Sequence, residues 1–439
     1  MLNRKENRRR IIQYVLPSVS AMVVSCTYNV VDGIFVGQGI GESALAAVNL
    51  TVPFTEITTA LASMLTVGGA AIMSICKGRN DRAGANKAFM TSVYLVSAIG
   101  LFMLLIGTIF PEQLARAFGA PDSLLSLTVD YLRWYSMFSI FFTIAILGSV
   151  YVRNDGSPGL SFWGMVIGAV SNIFLDWLFV FPLKMGIIGA AVASGLGQLA
   201  ACAILCIHFI RRQGILRIRA EKPDAALFRK VCTGGLPEFV IQISQPVTIF
   251  CYNWAIIRFL GDAYLAAFSA CTYLLIIVFG VYMGVAQGIQ PLMGTSYGDQ
   301  NPEEINYFFQ NGLRISGGVT LVIYLFYFAF GPALLSMFIT EASLIPTAYD
   351  ALRLYGASTI LASLNVIYIY YFLSTEKTAP AMEIAVLRGL VLNSLCIFLI
   401  PMIFGKGSIW CSVIVAEAIT LVVAIIIKKR YTPKIQLQR

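Results

Sequence analysis

The chain has 439 residues, of which 58% are hydrophobic and 12% charged, against ~45–50% and ~25% in soluble domains. That balance excludes a water-soluble enzyme or scaffold, and at ~20 residues per spanning helix it leaves room for about a dozen spans and little else. The formal net charge of +9 lies in short basic clusters beside apolar runs. It therefore marks membrane flanks and not a nucleic-acid surface.

The N-terminal stretch MLNRKENRRR leads into apolar sequence with no small-residue cleavage site, as in an uncleaved first span. Apolar runs predict twelve transmembrane helices over 11–35, 45–75, 88–110, 127–151, 160–181, 187–210, 231–257, 265–293, 312–331, 347–373, 381–403 and 408–427. Alternating the loops between the two membrane faces puts 24 of the 31 Lys and Arg on the face that holds both termini. By the positive-inside rule that face is cytoplasmic, and a multi-pass protein of the cell (inner) membrane is expected.

A basic loop from Arg211 to Lys230 divides the chain into two six-helix lobes, 1–215 with spans one to six and 216–439 with spans seven to twelve. The lobes repeat at an offset of 220: Pro17 with Pro237, Leu45-Ala-Ala47 with Leu265-Ala-Ala267, Gly68 with Gly288, Gly78 with Gly298, and Asp130-x-Leu-Arg-x-Tyr135 with Asp350-x-Leu-Arg-x-Tyr355. The fold class is thus all-α integral membrane with two pseudo-symmetric lobes. An even number of spans per repeat relates the lobes by an axis along the membrane normal and places a substrate cavity between them. The Asp-x-Leu-Arg-x-Tyr segments, at the outer starts of spans four and ten, are expected to trim helix ends through an i, i+3 ion pair.

Ionisable groups inside spans are costly and face protein or water-filled cavities. The candidates are Asp32, Glu56, Asp176, Glu383, Arg388 and Glu417, with Glu238 nearer an interface. Asp32 lies ~7 Å, Asp176 ~9 Å and Ser194 ~10 Å below the outer surface at 1.5 Å per residue, so three polar groups share one depth. Tyr28 and Asn172 each lie one turn from an acid on the same helix face. Two carboxylates in such a setting can share a proton, or can cage a sodium ion among hard oxygen ligands; the remaining alternative is that both snorkel to the outer interface. Arg388 and Glu417, at matching depth on consecutive helices, are expected to form a buried ion pair. Pro17 bends span one fifteen residues before Asp32.

No catalytic or nucleotide-binding motif is present, so neither an enzyme nor an ATP-driven pump is expected. The nine cysteines form no regular framework, and Cys202 and Cys206 with the single His208 make a poor metal set.

Tyr28-Asn-Val-Val-Asp32-Gly-Ile-Phe-Val-Gly37 followed by Ala44-Leu-Ala-Ala47 resembles the first-helix signature of the multidrug and toxic compound extrusion (MATE) transporters, of the multidrug/oligosaccharidyl-lipid/polysaccharide flippase superfamily. Gln287-Gly-Ile-Gln-Pro291-Leu-Met-Gly294 with Tyr297-Gly298 resembles the second-half signature, and Asn172-Ile-Phe-Leu-Asp176 the N-x-x-x-D of span five. The resemblance runs over essentially the whole chain. It implies a secondary antiporter that exports amphipathic, often cationic compounds in exchange for protons or sodium ions. The coupling role falls on Asp32, Asn172, Asp176 and Ser194, with Tyr28 beside them and Pro17 as the hinge. One branch of that family carries further acids in the C-terminal lobe; the corresponding positions here are Gln245 and Asn365.

Met165, Gln198, Gln245, Gln287 and Tyr368 are candidates to line the substrate cavity. No cofactor and no nucleic-acid partner is expected, and nothing in the sequence calls for more than a monomer in the bilayer. The alternatives are a lipid-linked precursor flippase, which would need a cationic cavity where the spans offer mainly Arg388, and a membrane protein that does not transport. Fusion reporters test the topology: a fluorescent protein fused after the last span is expected to fluoresce and alkaline phosphatase there to be inactive. Phosphatase inserted beside Lys184 is expected to be active.

Overall fold

A computed structural model describes residues 4–261, 264–338 and 342–436. Among these residues there is no strand, as a bilayer demands of a chain that is not a closed barrel, because only helices satisfy every backbone group within one segment. The helices are α1 (Arg4–Gly39), α2 (Glu42–Gly78), α3 (Arg82–Ile109), the short α4 (Pro111–Ala117), α5 (Asp122–Met137), α6 (Ser139–Asn154), α7 (Pro158–Val180) and α8 (Gly186–Ile210), then α9 (Ala225–Phe259), α10 (Tyr264–Gly298), α11 (Pro302–Leu335), α12 (Ile345–Ser374), α13 (Thr378–Val386), α14 (Asn393–Phe404) and α15 (Ser412–Gln436). Among the described residues eleven helical stretches are long and apolar enough to cross a membrane, and the bent pair α5–α6, taken as one span, makes a twelfth.

Span four differs from the single helix expected over 127–151: it bends by 51° between α5 and α6. At the break Phe138 leaves helical geometry (φ −99°, ψ 3°). Its ring fills the notch over Gly195 of α8, and just before it Ser136 sits where a side chain on Gly107 of α3 would stand. A bulky ring seated in a neighbour's glycine notch is thus a physical cause for the kink. Span eleven also departs from a plain helix, with a π turn over Leu387–Leu392 joining α13 to α14.

The repeat extends to backbone detail. After α2 and after α10 the chain turns through a left-handed residue, Asn80 (φ 58°) and Gln300 (φ 54°). The amides of Asp81 and Asn301 bond to Cys76 O (2.9 Å) and Ser296 O (3.0 Å). Each of these two residues then caps the next helix, accepting from Gly84 N (2.8 Å) and Glu304 N (3.2 Å). Every position in one turn lies 220 residues before its counterpart, and both ends follow ordinary N-cap chemistry.

The chain folds into two compact units, one of residues 20–239 and one of 1–19 with 240–439. The boundary therefore does not follow the loop at 215/216 but cuts through two helices, at Val19/Ser20 in α1 and Phe239/Val240 in α9. Glycine accounts for the docking of each exchanged segment. A side chain at Gly284 would stand 2.6 Å from Val19 Cα, and one at Gly288 2.8 Å from Val15 Cα, so α1 rests directly on the backbone of α10. In the other unit Gly68 of α2 meets Val231 O, and Gly235 of α9 meets Met64 O. Small residues allow such close helix contact where no hydrophobic driving force acts between helices in lipid. Asn7 adds a hydrogen bond to Glu304 (Nδ2 to Oε1, 3.2 Å), with Arg10 3.7 Å from the same carboxylate.

Gly288→Val is expected to force α1 from α10, destabilising the protein by about 1–3 kcal/mol through overpacking. Its thermal midpoint in detergent should fall by several degrees. Gly318→Ala on α11, where an added Cβ meets nothing within 4 Å, should leave the midpoint unchanged or slightly higher.

Candidate functional site

In the unit of residues 20–239, α7 descends to Val180 and α8 returns beside it. An added Cβ at Gly197 of α8 would lie 2.8 Å from Asn172 Cβ and 2.9 Å from Gly168 O, so the glycines let the two helices nearly touch. That approach brings Asn172 Nδ2 to Ser194 Oγ at 3.4 Å. Asp176 is wholly buried and Asn172 is buried, while Asp32, Tyr28 and Ser194 are half-buried.

Asp32 of α1 and Asp176 of α7 are close neighbours, and Asn172 stands beside Asp176. With both acids ionised, Asp32 Oδ1 and both oxygens of Asp176 have no hydrogen-bond donor, and Asn172 Oδ1 is likewise unpartnered. Two adjacent anions whose buried oxygens lack donors are strongly unfavourable. A proton held between them, or a small cation among these oxygens, removes the conflict. The five residues singled out for coupling, Tyr28, Asp32, Asn172, Asp176 and Ser194, thus gather in one unit at one place.

The sequence reading missed two members of this site. Tyr131 and Tyr135 of α5 are buried and stand within electrostatic reach of Asp32, and Tyr131 also of Asp176. Their rings stack at 5.8 Å, and Tyr135 stacks on Phe142 at 4.4 Å. Both lie in the Asp130-x-Leu-Arg-x-Tyr135 segment that was expected only to trim a helix end. The available signal was depth, since the segment begins a span at the level of Asp32. Its counterpart in the other unit does carry the expected pair, Arg353 to Asp350 at 3.7 Å, with the Arg353 guanidinium also over Phe328 and Tyr349. Glu56 is half-buried on α2, within electrostatic reach of Tyr135.

The expected ion pair is present in the second unit. Arg388 Nε meets Glu417 Oε1 at 2.8 Å and Oε2 at 3.0 Å, and Asn365 Nδ2 bonds to Glu417 Oε2 at 2.7 Å. Gln245 borders the cavity beside this pair. Of the other proposed lining residues, Met165 on α7 and Gln198 on α8 are half-buried in the first unit, Gln287 is half-buried on α10, and Tyr368 packs edge-on against Phe309 at 5.1 Å. Pro17 lies inside α1, within the segment that belongs to the second unit. His208 is spent on structure, with Nε2 2.8 Å from Asp155 Oδ2 and Nδ1 3.0 Å from Ser157 Oγ.

Comparison with known proteins agrees with this anatomy. The chain is 23% identical over 422 residues to "Multidrug export protein MepA" of Staphylococcus aureus, covering 95% of this chain and 93% of that protein. It is 22% identical over 424 residues to the protein of the same name from Staphylococcus saprophyticus, covering 95% and 92%. Among solved structures it superposes on an outward-facing multidrug resistance MATE family transporter of the MOP superfamily with a TM-score of 0.92, at 22% identity over 98% of this chain and 97% of that one. The MatE family model matches twice, over residues 17–178 and 237–399. The two matches begin 220 residues apart, at Pro17 and Pro237, and end 221 apart, so the second copy carries one extra residue. The two matches together take in more than half of the sequence, and the chain belongs to the MatE family of membrane transporters.

Proposed function

We propose that this protein is a secondary active exporter of amphipathic, often cationic compounds, working by alternating access and driven by an ion that enters at Asp32 and Asp176. The observation that carries the reading is the acid pair whose buried oxygens lack donors, because a site that is short of one positive charge is a site that loads and unloads one. The multidrug export function named for the staphylococcal relatives supports the substrate class. The protein is read as a multi-pass component of the cell membrane, a monomer with both termini in the cytoplasm.

A proton is the preferred coupling ion, since one proton between the two carboxylates suffices. Sodium is the second reading, favoured by the unpartnered Asn172 Oδ1 and by Ser194 beside it, which would add neutral oxygens to the carboxylates. Pro17 has no intrahelical donor to give and so weakens α1 where it passes from one unit to the other. A flippase for lipid pyrophosphates is disfavoured because the spans offer mainly the single guanidinium of Arg388, itself paired with Glu417, too little positive charge for a diphosphate.

Asp32→Asn or Asp176→Asn is expected to reduce cationic-dye transport in inverted vesicles at least tenfold while the purified variant elutes as a folded protein. Wild-type rates in Asp32→Asn would overturn the coupling role. Separate proton and sodium gradients across the same vesicles identify the ion. Tyr131→Phe, which removes only the hydroxyl beside the acids, is expected to slow transport several-fold.

A further inference from the structure

The unit of residues 1–19 and 240–439 contains a cavity of about 90 Å³ whose wall includes Gln245, Thr248, Tyr355, Arg388, Asn393 and Glu417. In the duplicated frame it occupies the place of the acid pair. Thr248 and Tyr355 stand 220 residues after Tyr28 and Tyr135, and Asn393 stands 221 after Asn172. The position equivalent to Asp32 is Tyr252. Arg388 and Asn393 lie on and directly after the π turn, a wider helical turn that accommodates the extra residue of the second repeat and is common at functional sites. The charge at this place therefore differs: a guanidinium paired with Glu417 borders the second cavity, where two carboxylates meet in the first unit.

The hydrogen bonds show which groups are left to act on a ligand. Arg388 engages Glu417 through Nε, and Asn365 also binds that carboxylate, so Glu417 is well supplied with donors. Arg388 itself lines the cavity, with Tyr282 in contact, and its bonds to Glu417 run through Nε. Ser244, Thr272, Ser358 and Thr359 donate their hydroxyl protons to carbonyls of their own helices. Thr248 instead accepts from Asn393 Nδ2 at 3.5 Å and keeps its proton. Gln245, one turn away on the same face of α9, adds an amide. Three sets of donors thus converge, one of them charged, whereas a cation would have to compete with Arg388 for an acid already satisfied.

We propose that this cavity is a carboxylate-accepting subsite, in which Arg388, Thr248 and Gln245 take the carboxylate of a small organic acid or of an amphipath that carries a carboxylate beside its other groups. A planar guanidinium fork matches a carboxylate in geometry as well as charge. The volume admits a few heavy atoms, well below the ~300 Å³ of a pocket that encloses a drug-sized ligand. It therefore receives the acidic end of a molecule and not the whole of it. The assignment concerns binding alone and stands apart from the identity of the coupling ion.

The test uses the purified full-length protein in detergent, with no ion gradient, titrated with dansylglycine and with dansylglycine methyl ester while dansyl fluorescence is followed. The two probes differ only in the carboxylate. Wild type is expected to bind the acid at least about tenfold more tightly than the ester, the effect of one charged hydrogen-bonded contact. Replacing the ion pair by the uncharged pair Arg388→Met with Glu417→Met should bring the two probes within about twofold of each other, with the variant's thermal midpoint confirming that it is folded. Equal binding of acid and ester by wild type, or a preference that survives in the folded double variant, overturns the proposal. Thr248→Val is isosteric and clear of the ion pair, and is expected to weaken acid binding by a factor of about three to ten with ester binding unchanged. Unaltered acid binding in Thr248→Val overturns the proposal even if the double variant does not fold.

Discussion

A charge placed in hydrocarbon must find a proton, a counter-ion or a set of donors, and this constraint organises the protein more than any packing preference. The two units meet it in different ways. In one, Asp32 and Asp176 face each other with oxygens that no donor satisfies. In the other, Glu417 is held by Arg388 and Asn365, all three from the same unit. A satisfied acid stays as it is, and an unsatisfied pair remains responsive to the solution that reaches it. The chemical asymmetry of a duplicated chain lies in that contrast.

Glycine sets the distances on which these sites rely. Gly197 and Gly168 let α7 and α8 approach until Asn172 reaches Ser194, and Gly195 makes room for Phe138, where span four bends. The bend turns what would be one long helix into two, and Tyr131 and Tyr135 lie on the α5 side of it, beside the acids. In the second repeat no such break occurs in α12, which runs unbroken from Ile345 to Ser374. The same Asp-x-Leu-Arg-x-Tyr motif therefore sits in two backbones of different shape.

Much of this was legible in the sequence, and what was not has a physical reason. Apolar run length gave the spans, and residues at a shared depth gave the acids that meet. These signals rest on one-dimensional quantities that the bilayer enforces. The tyrosines beside Asp32 were overlooked because charge and spacing make Asp130 and Arg133 the conspicuous members of their motif. The π turn at Leu387–Leu392 was invisible because its residues read as ordinary apolar helix, and only the offset of 221 at the end of the second family match betrays the added residue. The exchange of half-helices between units could not be seen either. A loop is obvious in a sequence, whereas the partner of a glycine face is not.

The placement of the unit boundary inside α1 and α9 has a consequence for biosynthesis. As the chain leaves the ribosome, the first compact unit lacks part of its fold until residue 239 has been made, so its five complete spans and the later part of span one must wait in the bilayer for the opening turns of a seventh. The opening residues of the chain wait longer still, since the helices they dock on, α10 among them, are made only after the midpoint of synthesis. Neither unit is the product of a contiguous stretch of translation. A chain truncated at the central loop would yield six membrane-inserted helices without a finished unit.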